Sequence, residues 1–320
     1  MRFHIDLKMV PVIEGLARRV ELLVFPCHPD TTDPEGWNYL KRATGAKYDP
    51  EWSPKSLNSF LQDHPETFLC DLGGEMIGWA AESDALLSGG MEGTTSGIKL
   101  IAEHKNLHFP VLDWNGAPLK LEIHNEKMVG FSIWQTFTEV TRLSLHGRSV
   151  GVLGYGLVGR GIARTARALG GFVKIYEPDS DRRTCAAYEG FGNHEREDVL
   201  GADVIVSATG VPDAVKETDM SRLKSGAFLL NAGHSEEEIS PAIRNHPNRR
   251  SVLPHVEELS LGKERHVFLL ASGRLLNLAA GFGDTINAFD VTSALLVETL
   301  KTLIEKSHEL PRGLSVLKKP

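Results

Sequence analysis

The fold is decided by residues 149–177, SVGVLGYGLVGRGIARTARALGGFVKIYE. An apolar run from Ser149 to Leu153 leads into a GxGxxG turn, a helical pattern follows to Leu169, and a second apolar run ends on Glu177. A strand, a glycine turn, a helix and a second strand in this order form a βαβ unit, whose two strands are parallel. We therefore predict an α/β domain with the glycine turn at the carboxyl edge of its sheet.

The glycines of this turn are the residues that a pyrophosphate-binding turn requires. Gly154 permits the tight turn, Gly156 lets the backbone approach a phosphate, and Gly159 lets the helix pack close to the sheet. Glu177 is placed to accept hydrogen bonds from both hydroxyls of an adenosine ribose, and its charge would repel a 2′-phosphate. The stretch therefore predicts a site for NAD rather than NADP.

The composition limits the class of protein and its partners. A length of 320 residues suggests two domains, and 41% hydrophobic with 24% charged residues is ordinary for a globular protein. A net charge of −7 without a basic run argues against a nucleic-acid partner. Three cysteines without CxxC spacing indicate a reducing compartment and no metal framework. Because no apolar run is long enough to span a bilayer, we expect a cytoplasmic protein with no membrane partner.

Extended apolar runs alternate with helical patterns along the rest of the chain, which is typical of α/β proteins. The predicted strands are 21–25, 67–71, 204–206, 227–230 and 266–270, and the predicted helices are 10–20, 97–104, 126–145, 186–188 and 285–305. The predicted loops and irregular segments are 26–36, 50–65 and the glycine breaks 73–74 and 89–90. The tail at 311–320 is short and basic. We predict a Rossmann-type doubly wound NAD-binding domain at 127–285 and an α/β substrate domain at 1–126, with 286–320 packing back on the latter.

Polar residues follow two strands of the predicted NAD-binding domain. Thr209 and Gly210 come after the strand 204–206, and Asn231 and His234 come after the strand 227–230. Because doubly wound sheets bind ligands at the carboxyl ends of their strands, these residues are candidates for the site.

The segment 109–123 has an extended pattern in the first domain. On a strand, alternation would place Lys120, Glu122 and His124 on one face. From spacing alone, a solvated strand edge is a more natural interpretation than a functional face.

Four motifs in order resemble S-adenosylhomocysteine hydrolase. They are EGTTSG (92–97), GYGLVGRG (154–161), NAGH (231–234) and ASGRLLNL (271–278), and the likeness extends from HIDLKMVPVIEGL, starting at His4, to the final LKK. The resemblance covers nearly the whole chain and implies a shortened, divergent member of the family. In that family bound NAD oxidises the 3′-hydroxyl of adenosine, homocysteine is eliminated, water adds, and the ketone is reduced again. It therefore implies an adenosine-like nucleoside substrate and a homo-oligomer, either a dimer or a tetramer.

The resemblance, together with the glycine turn, defines the expected site. The expected cofactor-binding residues are Gly154, Gly156, Leu157, Val158, Gly159, Glu177, Thr94, Thr95, Ser96, Asn125, Thr209, Gly210, Asn231 and Asn277. The expected catalytic residues are Lys120, His4, His124 and Asp71, and the expected substrate-binding residues are His234, Asn115, Asp6, Glu92 and Asp284. Lys120 matches the lysine that helps to take the 3′-hydroxyl proton.

Several positions depart from the family pattern. Leu72 replaces a proposed proton carrier at the 4′ carbon, and Gly93 replaces a ribose-binding glutamate. A family aspartate becomes His124, a gating histidine becomes Asp284, and a threonine near the substrate becomes Asp6. Leucine and glycine carry no protons, and general acid–base catalysis is worth about 10²–10⁴-fold. Elimination therefore loses its expected catalyst, whereas oxidation needs only NAD, a base and orientation.

These observations favour an NAD-dependent enzyme that oxidises the 3′-hydroxyl of an adenosine-type nucleoside, with 3′-oxidation or 3′-epimerisation as the net result. A divergent adenosylhomocysteinase, in which Asp6, Asp71 or His124 replaces the lost acids, is the first alternative. A catalytically silent NAD-binding regulator is the second. A 2-hydroxyacid dehydrogenase lacks support, because no Arg–Glu–His set occurs in the expected order.

Overall fold

The computed structural model describes residues 1–27, 31–43, 47–48, 53–83, 86–104, 107–192, 194–233, 236–262 and 264–317. The chain divides into two compact units. Unit 1 consists of Met1–Leu121 and Phe289–Pro320, and unit 2 consists of Glu122–Ala288.

Unit 1 is an α/β unit. Its strands are β1 (Arg2–Phe3), β2 (Leu23–Pro26), β3 (Lys47–Tyr48), β4 (Phe68–Asp71), β5 (Gly89–Glu92), β6 (Pro110–Asp113) and β14 (Gly313–Val316). Its helices are α1 (Met9–Ala17), α2 (Pro34–Ala43), α3 (Pro54–Asp63), α4 (Glu75–Ala81), α5 (Thr95–Glu103) and most of α12 (Ile286–Lys306).

Two parallel sheets organise unit 1. One has the order β1-β2-β3 and the other has the order β14-β6-β5-β4. Apolar side chains of α1, α12 and both sheets, among them Phe3, Ile13, Met91 and Leu303, form a buried core. Because all the pairings of the four-stranded sheet are parallel, the residues that end β4, β5 and β6 meet at one edge.

Unit 2 contains the GxGxxG stretch. Its strands are β7 (Ser149–Leu153), β8 (Phe172–Tyr176), β9 (Val204–Ser207), β10 (Phe228–Asn231), β11 (Arg249–Leu253), β12 (Val256–Ser260) and β13 (His266–Leu270). Its α-helices are α6 (Val129–Thr141), α7 (Leu157–Ala168), α8 (Ser180–Tyr188), α9 (Arg196–Leu200), α10 (Pro241–Arg244) and α11 (Leu276–Ala279).

The sheet of unit 2 has the order β11-β12-β13-β10-β9-β7-β8. The five strands from β13 to β8 are parallel, and β11 and β12 add an antiparallel edge. The chain leaves β7 toward β8 on one side and continues with β9 on the other, so the carboxyl end of β7 is a topological switch point. The predicted fold class, a Rossmann-type doubly wound sheet with an α/β partner unit, is confirmed.

Helices α6 and α7 pack at very short distance. A Cβ atom at Gly161 would overlap the carbonyl oxygen of Glu126, and one at Gly130 would approach the backbone of Gly161. The indole Nε1 of Trp134 donates a hydrogen bond to the Ile162 carbonyl at 2.9 Å. Both glycines are therefore required by the helix crossing.

The prediction of an extended segment at 109–123 is wrong beyond Asp113. The strand ends there because the Asp113 carboxylate accepts a hydrogen bond from Gly116 N–H at 2.8 Å and turns the chain. Lys120, Glu122 and His124 lie instead on a π-helix, Lys120–Met128, which precedes α6. The single predicted helix at 126–145 is thus the end of this π-helix followed by α6.

Three further local predictions are wrong. The glycine break at 89–90 is strand β5, in which Gly89 leaves room for Leu303 and Pro110, each 3.2 Å from where its Cβ would lie. The segment 50–65 contains α3, which begins with a capping box at Ser53, and α2 begins within the predicted loop 26–36. The basic tail, for which the sequence predicts no element, contains β14, which pairs in register with β6. Within the described residues, no helix is long and apolar enough to cross a membrane.

Candidate active site

The glycine turn of unit 2 has the geometry of a phosphate cradle. Gly154 has φ +95°, which glycine adopts without strain, and a Cβ at Gly159 would overlap the Gly154 carbonyl. Gly156 is open on its side-chain face, where the nearest atom to a Cβ would be Arg182 Nη1 at 3.9 Å. The first turn of α7, with Leu157 and Val158, directs its backbone N–H groups from this point. These features fit the pyrophosphate of a dinucleotide.

Glu177 directly follows β8 and is hydrogen-bonded to the glycine turn. It is buried, and its carboxylate accepts hydrogen bonds from Tyr155 N–H at 2.6 Å and from Asp179 N–H at 3.0 Å. Each carboxylate oxygen has a second lone pair, so the group holds the turn and keeps the capacity to accept a further hydrogen bond. The predicted ribose acid is therefore oriented by the backbone beside it.

Glu238 organises the loop that follows β9. Its buried carboxylate accepts hydrogen bonds from the Ser207 hydroxyl at 2.6 Å, from Thr209 N–H at 2.9 Å and from Gly210 N–H at 2.8 Å. Gly233 makes room for it, because a Cβ there would overlap the Glu238 carboxylate. Thr209 and Gly210, predicted from the sequence, thus depend on an acid that sequence reasoning missed.

Two predicted asparagines support neighbouring backbone. Asn231 Nδ2 donates to the Gly273 carbonyl at 3.0 Å, and its Oδ1 accepts from Gly233 N–H at 2.9 Å. Asn277 Nδ2 donates to the Ser132 hydroxyl at 3.2 Å. Asn125 lies on the π-helix, and His234 lies outside the described residues.

In unit 1, three acids form a row at the carboxyl edge of the four-stranded sheet. Asp71 ends β4, Glu92 ends β5 and Asp113 ends β6, and they are cross-strand partners in register. All three are buried. Burial raises the pKa of Asp71 and of Asp113, while burial and the adjacent Asp71 charge raise the pKa of Glu92 to about 7.

Asp71 holds the loop that follows β4. Its carboxylate accepts from the N–H groups of Leu72, Met76 and Ile77 at 2.9, 2.8 and 3.3 Å, which fixes the start of α4. Its predicted catalytic role is therefore joined to a structural one.

Glu92 joins two loops through four hydrogen bonds. It accepts from Gly73 N–H at 3.1 Å, from Gly74 N–H at 2.9 Å, and from the amide and hydroxyl of Thr94 at 2.7 and 2.6 Å. Thr94 Oγ1 in turn accepts from Gly97 N–H at 3.0 Å and lies 3.3 Å from Ser96 Oγ. Glu92, predicted to bind substrate, is fully buried and positions the Thr94–Ser96 run.

Lys120 lies against an apolar wall. It is buried, with 6% of its surface exposed, and its Nζ is 5.8 Å from the centre of the Trp114 ring. A Cβ at Gly93 would overlap the Trp114 indole and would lie 2.9 Å from Leu72. The Trp114 indole thus lies beside the lysine and against Gly93, which in turn adjoins Leu72, and no acid fits at position 93 while the indole is in place. The interpretation of Lys120 as part of a solvated strand edge is wrong.

The other candidates of unit 1 occupy separate positions. His4 Nδ1 is 2.7 Å from the Thr31 hydroxyl, and Asn115 Nδ2 donates to Thr95 Oγ1 at 3.1 Å. Asp6 accepts from Met9 N–H at 2.9 Å and lies 3.3 Å from Lys8 Nζ, so it caps α1. The structure thus links Asn115 with the predicted cofactor residue Thr95.

His124 and Asp284 lie side by side within unit 2. His124 Nε2 lies 3.1 Å from Asp284 Oδ2, with 13% and 11% of the two side chains exposed. Sequence reasoning named both residues but did not pair them, because they lie far apart in the chain.

Comparison with known proteins identifies the family. Residues 128–283 match the family model of the S-adenosyl-L-homocysteine hydrolase NAD-binding domain. The chain is 32% identical to the adenosylhomocysteinase of Archaeoglobus fulgidus, covering 98% of this chain and 80% of that protein. The chain belongs to the adenosylhomocysteinase family. Its unit 2 is therefore an NAD-binding domain, as predicted.

Two further proteins are similar to this chain, one in sequence and one in fold. The chain is 30% identical to the S-inosyl-L-homocysteine hydrolase of Methanopyrus kandleri, covering 98% of this chain and 78% of that protein. A crystal structure of a dipicolinate synthase subunit from Bacillus halodurans superposes with a TM-score of 0.51 at 15% identity, covering 93% of this chain and 96% of that chain. The latter similarity concerns the fold alone. The chain is thus an enzyme of the adenosylhomocysteinase type.

Proposed function

We propose that this protein oxidises the 3′-hydroxyl of an adenosine-type nucleoside with NAD, and that the net result is 3′-oxidation or 3′-epimerisation. The observation that carries this proposal is the surroundings of Lys120, a buried lysine beside a wall of Leu72, Gly93 and Trp114. The relatives named above support a purine nucleoside joined to homocysteine as the parent of the substrate class.

Lys120 is the proposed base. An amine in its neutral form can take the proton of an alcohol, and the buried position of Lys120 keeps its amine out of bulk water. Asn115 and Thr95, hydrogen-bonded to each other, orient the neighbouring loops, and Glu92 holds Thr94 in place. NAD, when bound, supplies the hydride acceptor for the 3′ carbon.

The apolar wall argues against efficient elimination. Removal of the 4′ proton requires a side chain that carries protons, and neither Leu72 nor Gly93 has one. The Trp114 indole occupies the volume that a longer side chain at position 93 would need. Oxidation without elimination then leaves a 3′ ketone, and return of hydride to its other face gives the 3′ epimer.

The second candidate is thioether hydrolysis of S-adenosylhomocysteine or a related compound. It is favoured by the names of the relatives, which are hydrolases. In this case Asp71, His124 or Asp6 would have to serve as the missing acid. Asp71 is committed to three backbone N–H groups and Asp6 to the cap of α1, which weakens this candidate.

The experiment that separates the two candidates uses the purified protein with adenosine, inosine, S-adenosylhomocysteine and other 5′-substituted nucleosides. Absorbance of reduced cofactor, chromatography of the nucleoside products and a thiol assay for homocysteine are followed together. We expect cofactor reduction or a 3′ epimer without a stoichiometric thiol. Homocysteine release at the rate of turnover would refute the proposal in favour of hydrolysis, and tight NAD binding without any turnover would indicate a silent binding protein.

A further inference from the structure

We infer that Arg182 is a further cofactor-binding residue, whose guanidinium binds the pyrophosphate of NAD beside the glycine turn. Its Nη1 lies 3.9 Å from where a Cβ of Gly156 would be. Apart from Gly156 and its chain neighbours, no other atom of the described residues comes within 4 Å of that point. Gly156 is the position of the turn at which the backbone approaches a pyrophosphate. Arg182 binds the cofactor in the same way whether the net reaction is oxidation or hydrolysis.

The guanidinium of Arg182 is available to a ligand. The side chain is exposed, and among the described residues it has no hydrogen-bond or ion-pair partner. Acids lie nearby in the sequence, but their carboxylates bind backbone N–H groups. Glu177 accepts from Tyr155 and Asp179, and Asp179 Oδ1 accepts from the N–H groups of Asp181 and Arg182 at 3.1 and 2.9 Å. A positive charge therefore lies next to the turn without a carboxylate bound to it.

The backbone that carries Arg182 is held in place. Arg182 is the third residue of α8, and the side chain of Asp179 caps the first turn of this helix. Arg183 Nη1 donates to the carbonyls of Glu177 and Pro178 at 3.2 and 3.3 Å, which joins the helix to the loop after β8. The same loop is bonded to the glycine turn through Glu177. The start of α8 is thus fixed beside the turn, while the long side chain of Arg182 can adjust to a ligand.

A guanidinium at this position supplies a charge that the turn itself lacks. The turn offers backbone N–H groups and the partial positive charge of the start of α7. The first turn of α7 has one cationic side chain, Arg160, and this side chain pairs with Glu126 at 2.8 Å. The pyrophosphate of a dinucleotide is negatively charged, and the planar fork of an arginine can donate two parallel hydrogen bonds to phosphate oxygens. Arg182 is therefore the side chain that neutralises the pyrophosphate.

The test measures the affinity of the wild type and of Arg182→Ala for NAD and for ADP-ribose by calorimetric titration. We expect both Kd values to rise about tenfold in the variant, because charge-assisted hydrogen bonds to phosphate are lost. Arg182→Lys keeps the charge without the fork and should give intermediate Kd values. Arg142→Ala is the matched control and should stay within about twofold of the wild type. It removes the same charge from unit 2 at an exposed guanidinium that likewise has no polar partner among the described residues.

Salt separates a contact with phosphate from stacking on the adenine ring. The Debye length falls from about 10 Å at 0.1 M salt to about 3 Å at 1 M salt, so an exposed ionic contact is screened. We therefore expect the difference in Kd between the wild type and Arg182→Ala to shrink at 1 M salt. A difference that salt leaves unchanged would assign the guanidinium to the adenine ring and would overturn the inference.

Two further outcomes would overturn it. One is an equal Kd for NAD in the wild type and in Arg182→Ala. The other is a loss of affinity for NADP alone, which would place the guanidinium at the 2′ position of the ribose. The urea midpoint of the cofactor-free protein should be the same in both proteins, because the exposed side chain holds no other described residue. The proposed function is tested by the products formed from nucleosides, so these binding measurements can fail or succeed independently of it.

Discussion

At the scale of single residues, Lys120 is the side chain on which the proposed chemistry depends. We expect Lys120→Ala to lower the rate of cofactor reduction with adenosine by about 10²–10⁴-fold, because the alcohol then loses its base. NAD affinity, measured by calorimetric titration, should stay within about twofold, since the NAD-binding turn is in unit 2. Lys127→Ala, at an exposed position of the same π-helix, is the control. Normal turnover in Lys120→Ala would contradict the assignment of the base.

The raised pKa of Glu92 predicts how the stability of the protein depends on pH. Burial raises its pKa from 4.5 to about 7, so the folded protein holds this proton at pH values where the unfolded chain has released it. The folded state therefore binds more protons between about pH 4.5 and 7, and the free energy of unfolding falls as the pH rises through this window. The full effect is about 3 kcal/mol.

The measurement for Glu92 is urea unfolding at several pH values, followed by tryptophan fluorescence. Four of the five tryptophans lie in unit 1, so the signal reports mainly on the unit that contains Glu92. The fall in stability from pH 5 to pH 7 should shrink in Glu92→Gln, which is neutral throughout. Asp203→Asn serves as a control, because the pKa of Asp203 is lowered to about 2 and its contribution is lost only in acid. An unchanged slope in Glu92→Gln would assign the titration to another group.

At the scale of elements, the crossing of α6 and α7 depends on Gly161. Gly161→Ala would drive a methyl group into the Glu126 carbonyl, so we expect a loss of about 3 kcal/mol in the free energy of unfolding of unit 2. The control is Gly15→Ala in α1, where no atom lies within 4 Å of the added Cβ. That change should raise stability by about 0.5–1 kcal/mol, because alanine favours a helix over glycine. Equal effects of the two substitutions on the free energy of unfolding would show that the close approach of α6 and α7 does not contribute to stability.

Some elements of the fold were predictable from local sequence, and others were not. The βαβ unit at 149–177 was predictable because its period, its glycine turn and its terminal acid all lie within one stretch. The π-helix and β5 were not predicted: the Glu126 carbonyl of the first packs against Gly161, and Gly89 of the second leaves room for Leu303 and Pro110. In both cases residues distant in sequence pack against the element, and no local pattern reports such contacts.

Some residues of the candidate site were likewise predictable from the sequence, and others were not. The glycines and Glu177 follow from spacing alone, and Lys120 and Asn277 follow from the resemblance to a family. Glu238, and the packing of Trp114 on Gly93, depend on residues that are distant in sequence and meet only in the folded chain. Positions expected to touch the ligand were therefore easier to predict than the buried residues that hold them.

At the scale of the whole molecule, the chain has two units that each contain their own buried clusters. The acids of unit 1 and the glycine turn of unit 2 both lie at the carboxyl edges of parallel strands, where doubly wound sheets bind ligands. A ligand that binds one unit should stabilise that unit first, because stability gained by binding requires affinity for the folded site.

Calorimetry with and without cofactor tests this division of roles. NAD at about 100 times its Kd should stabilise the transition of unit 2 by about 2.7 kcal/mol. NADP at the same concentration should give a much smaller shift, because we expect the Glu177 carboxylate to face the ribose and to repel a 2′-phosphate. Glu177→Ala should lower the shift with NAD and narrow the difference between the two cofactors. Equal stabilisation of the wild type by NAD and NADP would show that Glu177 does not select between the two cofactors. Arg182, the side chain nearest to Gly156, would then be the residue to examine for contact with a 2′-phosphate.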